Sequence, residues 1–167
     1  MSRSTMTLWL LVAGLGVVLT PGRASAQVTP RFGVQVDWGD DSDVGIGARI
    51  SVPIAKKIPL EIQGSFDYFF PSSPATVDLK YWEINGNLVY LVPVKGVSVS
   101  PYVGSGLNLA HASIGTATVG GSDSQVGLNL LGGVAFPLKK SRIRPFAEAR
   151  VELSGGEQVV LTGGIQF

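Results

Sequence analysis

The chain has 167 residues, among them 22 glycines and no cysteine, with 45% hydrophobic and 15% charged residues and a formal net charge of +1. That length fits one domain at roughly 150 residues each. The missing cysteine excludes disulfides, thiolate metal sites and Cys nucleophiles, and the balanced charge excludes a field for nucleic acid. Mean hydropathy is positive at +0.31, yet no apolar run reaches the roughly 20 residues of a membrane helix. A helical membrane protein is therefore not expected.

Residues 1–26 read as an export signal. Arg3 is the basic start, Leu8 to Leu19 an apolar stretch too short to span a bilayer, Pro21-Gly22 a breaker, and Ala24-Ser25-Ala26 an A-x-A cleavage site. Residues 27–167 are then a single domain that folds outside the inner membrane.

From there the pattern has period two. Phe32, Val34, Val36 and Trp38 form one face of a first strand. Val44, Ile46, Ala48, Ile50 and Val52 follow, then Leu60, Ile62, Phe66 and Tyr68, then Trp82, Ile84, Leu88, Tyr90 and Val92. The second half repeats the theme with Val103, Leu107 and Leu109, with Val126, Leu128, Leu130, Val134 and Phe136, with Ala147, Ala149, Val151 and Leu153, and with Val159, Leu161, Ile165 and Phe167. These are eight segments of about ten residues, the length of a tilted membrane strand. Odd-numbered connections are acidic and polar: Gly39 to Asp43, Pro71 to Asp78, about Ser113 to Ser124, and Ser154 to Glu157. Even-numbered ones are basic, with Lys56, Lys57, Lys95, Lys139, Lys140, Arg142 and Arg144 and no acid. An up-and-down meander sorts its connections in this way. The predicted fold class is all-β, an eight-stranded antiparallel up-and-down barrel.

The character of the polar face decides which side meets lipid. A water-facing exterior would carry Lys, Glu and Thr. Here the polar positions are mainly Gly, Ser, Asn and Gln, which suit the filled interior of a narrow barrel. Aromatic residues gather near strand ends, with Trp38, Tyr68, Phe69, Phe70, Tyr81 and Trp82 at one rim and Phe32, Tyr90, Tyr102, Phe136 and Phe167 at the other. Two such belts are expected at membrane interfaces. Inward parity collects Asp37, Arg49, Glu61, Asp67, Glu83, Glu148, Arg150 and Glu152 in one tube, where charges must pair or hydrate. A plugged lumen built on Arg49, Glu61, Asp67, Glu83, Glu148, Arg150 and Glu152 is the main expectation, and a narrow porin-like channel is the alternative.

The terminal Phe167, the segment Pro101-Tyr102-Val103-Gly104-Ser105-Gly106 and the segment Arg144-Pro145-Phe146-Ala147-Glu148 carry a resemblance. The sequence resembles the small outer-membrane barrels of the OmpA, OmpX and opacity-protein type from Arg31 to Phe167. The resemblance implies residence in the bacterial outer membrane among lipids and lipopolysaccharide, and a last strand ending in Phe167 that signals to the barrel assembly machinery. Barrels of that type serve as structural proteins, adhesins, toxin receptors and occasional enzymes. A monomer with a structural or surface-interaction role is the expectation, and no cofactor or metal motif is read from the residues. A lipid A-modifying enzyme using His111 and Ser113 is the least favoured alternative. One further motif is similar to the outer-membrane lipid A deacylases, a His-x-Ser pair at His111 and Ser113. Such chemistry needs a carboxylate to orient the His; Asp123 is the nearby candidate, and Ile114 stands where those enzymes usually carry Asn. Asp40, Asp41 and Asp43 match no EF-hand spacing.

Overall fold

The computed structural model describes residues 29–55, 57–72, 78–115, 120–138, 141–153 and 157–167. The export signal expected over residues 1–26 lies outside them. The strands are β1 (Arg31–Gly39), β2 (Asp43–Ala55), β3 (Ile58–Phe69), β4 (Asp78–Leu91), β5 (Ser100–Gly115), β6 (Gly120–Ala135), β7 (Arg144–Leu153) and β8 (Gln158–Gln166). Each pairs antiparallel with the next, and β8 pairs with β1 to close the barrel. At that seam Phe32 and Phe167 exchange both backbone bonds, at 3.1 and 2.8 Å. Both ends of the described chain and the basic connections therefore share one end, here the terminal end. The acidic connections form the other, outward end.

Strand alternation gives the barrel its two faces. Val34, Val36, Ile46, Ile62, Phe66, Leu107, Leu128 and Leu130 all point outward and are exposed, which inverts the order of a water-soluble protein. An apolar exterior on this scale on a closed sheet is the surface of a barrel that sits in lipid. The interior holds Gln35, Asp37, Arg49, Asp67, Glu83, Asn85, Asn129 and Arg150, all buried.

Strand length is uneven. β1, β7 and β8 have 9, 10 and 9 residues, about what a bilayer requires. β4, β5 and β6 have 14, 16 and 16, so part of them must project. The expected loop from about Ser113 to Ser124 is accordingly corrected: pairing continues through Ser113↔Ser122 and Ile114↔Gly121 to Gly115↔Gly120. Outside lipid neither face of a ribbon needs to be apolar, so the hydrophobic alternation stops while the hydrogen-bonded ladder goes on.

Three aromatic assignments are also corrected. Phe69 is wholly buried, Tyr102 is 5% exposed, and the Tyr81 hydroxyl donates to Glu83 Oε1 at 2.6 Å; all three belong to the lumen rather than to the rim belts. Neighbours on a strand point to opposite faces, so Tyr68 and Trp82 outside force Phe69 and Tyr81 inside. A small apolar cluster of Val89, Tyr102, Leu131, Ala135 and Phe146 fills the terminal half of the interior.

Candidate functional site: a filled lumen and an outward ribbon

The lumen contains two arginine-centred networks. In the outward half, Arg150 Nε donates to Glu152 Oε1 at 2.8 Å and Nη2 to Glu83 Oε2 at 2.9 Å, with Asp67 Oδ2 at 3.6 Å. Gln158 Nε2 bridges Glu83 Oε1 and Glu152 Oε2, at 2.6 and 2.9 Å. Ser65 and Asn85 donate to Asp67 Oδ2, each at 2.9 Å, and Asn108 donates to Glu152 at 3.1 Å. Carboxylates outnumber cations in this half, and neutral donors supply the remaining hydrogen bonds that buried charge demands. The Ser42 hydroxyl donates to Gln158 Oε1 at 2.9 Å across the outward mouth.

In the terminal half, Arg49 forms a two-pronged pair with Glu148, both bonds 2.8 Å. Its guanidinium lies 4.3 Å from the centre of the Phe146 ring, a cation–π contact. Tyr102 donates to Glu148 Oε2 at 2.9 Å. Glu61 stands apart from both networks and pairs with Arg31 at the terminal mouth. Gln35 joins the two halves: its amide nitrogen donates to Asp37 and Asp67 at 3.1 and 2.7 Å, and its oxygen accepts from Arg49 Nε at 2.8 Å. A cavity of about 10 Å³ among Arg49, Ser51, Gln63 and Tyr102 has room for about one water.

All eight charged residues collected by inward parity thus lie inside the barrel, Asp37 held by Gln35 and Thr162. Arg150 gathers Asp67, Glu83 and Glu152, Arg49 takes Glu148, and Glu61 goes elsewhere. Sequence reasoning missed Arg31, Gln35, Gln158 and Tyr81. Inward parity flags the first, second and fourth; Gln158 sits at the start of β8, where alternation has barely begun.

The His111–Ser113 pair takes a different form. His111 and Ser113 lie two apart on the same face of β5, but the imidazole turns across the ladder to its partner in β6 instead of along its own strand. The imidazole stacks on Trp82 with ring centres 4.9 Å apart, and Nδ1 lies 2.7 Å from Ser124 Oγ. Asp123 is in β6 rather than in a loop, next to Ser124 and therefore on the opposite face, where its Oδ2 accepts from Gln125 at 2.9 Å. No acyl-transfer triad forms from these residues.

Outside the lumen the largest feature is the projecting part of β4, β5 and β6. β6 pairs with β7 only from Leu128↔Leu153 onward. Among the described residues, Gly120 to Gly127 pair with β5 alone, and Gly120 to Val126 are exposed on both faces. Among the described residues this is an open sheet edge about eight residues long.

The sequence matches no protein-family model and no curated protein. Its structure is similar to the N-terminal β-barrel domain of OprF from Pseudomonas aeruginosa, at 15% identity and a TM-score of 0.57, covering 84% of this chain and all of that one. It is similar to Neisserial surface protein A, NspA, at 16% identity and 0.58, covering 84% and 96%. It is also similar to Ail, the attachment invasion locus protein of Yersinia pestis, at 15% and 0.52, covering 83% and 94%. The chain has the fold of the small outer-membrane β-barrels. Within that fold, this barrel combines a lumen filled with paired charge and a one-sided outward ribbon.

Proposed function

We propose that the chain is a bacterial outer-membrane barrel that acts by surface contact, taking an extended segment of a partner protein onto the open edge of β6. The observation that carries this reading is the run Gly120–Gly127, paired among the described residues with β5 alone. Natural sheets protect such edges with Lys, Pro or bulges; this one offers Gly, Ser, Gln and Val, with Asp123 the one charge. Strand addition uses the backbone groups of an edge for affinity and the alternate side chains for selectivity. The outward connections are acidic and contain no Lys or Arg, so a basic strand suits them. Ail, a barrel of the same fold, is named for attachment and invasion.

The rest of the molecule supports that surface. Residues 1–26 direct export, the last strand with Phe167 serves recognition by the assembly machinery, and the barrel stands as a monomer among outer-membrane lipids and lipopolysaccharide. The filled lumen passes no steady ion current, and the protein is a binding and structural element rather than an enzyme. A peptide of alternating Lys and Val, labelled with a fluorophore, tests the edge by polarisation on purified folded barrel. Binding is expected, together with its loss when Ala110 to Gln125 is replaced by a two-residue Asn-Gly turn between the paired Leu109 and Val126. Equal binding by the shortened barrel, or by a peptide with Pro at alternate positions, counts against the edge.

A further inference from the structure

The terminal end of the barrel carries a second surface, made by its three turns. Lys57 stands between Ile54 and Ile58, Lys95 between Val94 and Val97, and Arg142 between Leu138 and Ile143. All three cations are exposed, and the six apolar side chains are 43 to 56% exposed. Water is a poor setting for six Ile, Val and Leu side chains, and hydrocarbon is a poor one for three charges. The headgroup layer of a membrane accepts both, since apolar groups dip toward the acyl chains while Lys and Arg reach the phosphates. The three connections add Lys56, Lys139 and Lys140 and contain no acid.

We propose that this collar binds anionic phospholipid headgroups, of the phosphatidylglycerol type, in the leaflet at the terminal end. Charge complementarity selects an anion, and the apolar residues select a lipid over a soluble polyanion, which would leave them in water. The repetition of one to three basic residues between two apolar ones at all three turns makes the contact a ring rather than a single site. The collar anchors the barrel at a fixed depth and draws the phosphates of one leaflet around it. The proposal rests on the membrane reading, which insertion into bilayers scores separately.

The test places the folded full-length mature barrel in nanodiscs of equal phosphatidylcholine and phosphatidylglycerol and counts the lipids retained on release by native mass spectrometry. Phosphatidylglycerol should be retained over phosphatidylcholine by about tenfold at low salt, each basic side chain adding to the attraction. That preference should shrink as ionic strength rises, a readout that needs no substitution. The combined Lys57→Gln, Lys95→Gln and Arg142→Gln variant should insert normally and retain the two lipids more nearly equally, while Lys57→Arg with Lys95→Arg keeps the preference. Equal retention by the unaltered barrel, undiminished preference in the Gln variant, or displacement of the lipid by a soluble acidic cell-wall fragment overturns the proposal.

Discussion

Arg150 is 1% exposed and faces Asp67, Glu83 and Glu152 within 3.6 Å. Removing one member of a buried ion cluster leaves the others uncompensated, which costs about 3–5 kcal/mol when the site is dry. Arg150→Ala should therefore lower the unfolding free energy read from a urea titration by that order and shift its midpoint down, and should open a cation-selective leak in planar bilayers through the remaining carboxylates. An unchanged midpoint would mean that water reaches the cluster. Gly164 has a quieter part. A Cβ there would lie 2.7 Å from two Phe146 ring carbons and 2.5 Å from the Val34 carbonyl oxygen. Gly164→Ala should displace Phe146 from beneath Arg49 and cost about 1–3 kcal/mol by overpacking, read from the same urea titration. At this scale parity made the buried charges legible in the sequence. The partners were not, because pairing depends on which side chains reach across the lumen: Glu61 goes to Arg31 and not to Arg49.

At the scale of the strand, β6 crosses two environments. Its outward-facing positions run from Ser122 and Ser124 through Val126 to Leu128 and Leu130. An arginine on the lipid face costs about 2–4 kcal/mol near the midplane and little near the interface. Leu130→Arg should strongly reduce folding into vesicles, while Ser122→Arg should leave it unchanged; a similar loss at both positions would place the ribbon inside the bilayer. The membrane-embedded half of β6 was legible because lipid on one side imposes period two. The ribbon half was not, since Gly120 to Gln125 carries no apolar alternation and resembles a loop by composition alone. The aromatic belts failed at Phe69, Tyr81 and Tyr102, because counting rings near strand ends ignores the face each one occupies.

For the whole molecule, closure is what confers resistance. The β1–β8 seam leaves no edge within the barrel wall, and all wall bonds run between strands, so detergent finds no starting point for unfolding. Unboiled protein should migrate differently from boiled protein on an SDS gel and should fractionate with outer membranes; soluble behaviour with no shift would remove the membrane reading. The closed architecture was readable from eight alternating segments and sorted connections, while the one-sided height of the wall was not. That height has a mechanical consequence. β6 continues unbroken from the barrel wall into its open edge, and antiparallel hydrogen bonds lie perpendicular to the strands. A partner strand bonded there and pulled away from the cell is loaded along its own axis. Its bonds are then strained side by side in shear and must fail together, whereas a strand pulled off sideways would unzip one bond at a time. Placed this way, the edge can hold a weakly bound segment against traction.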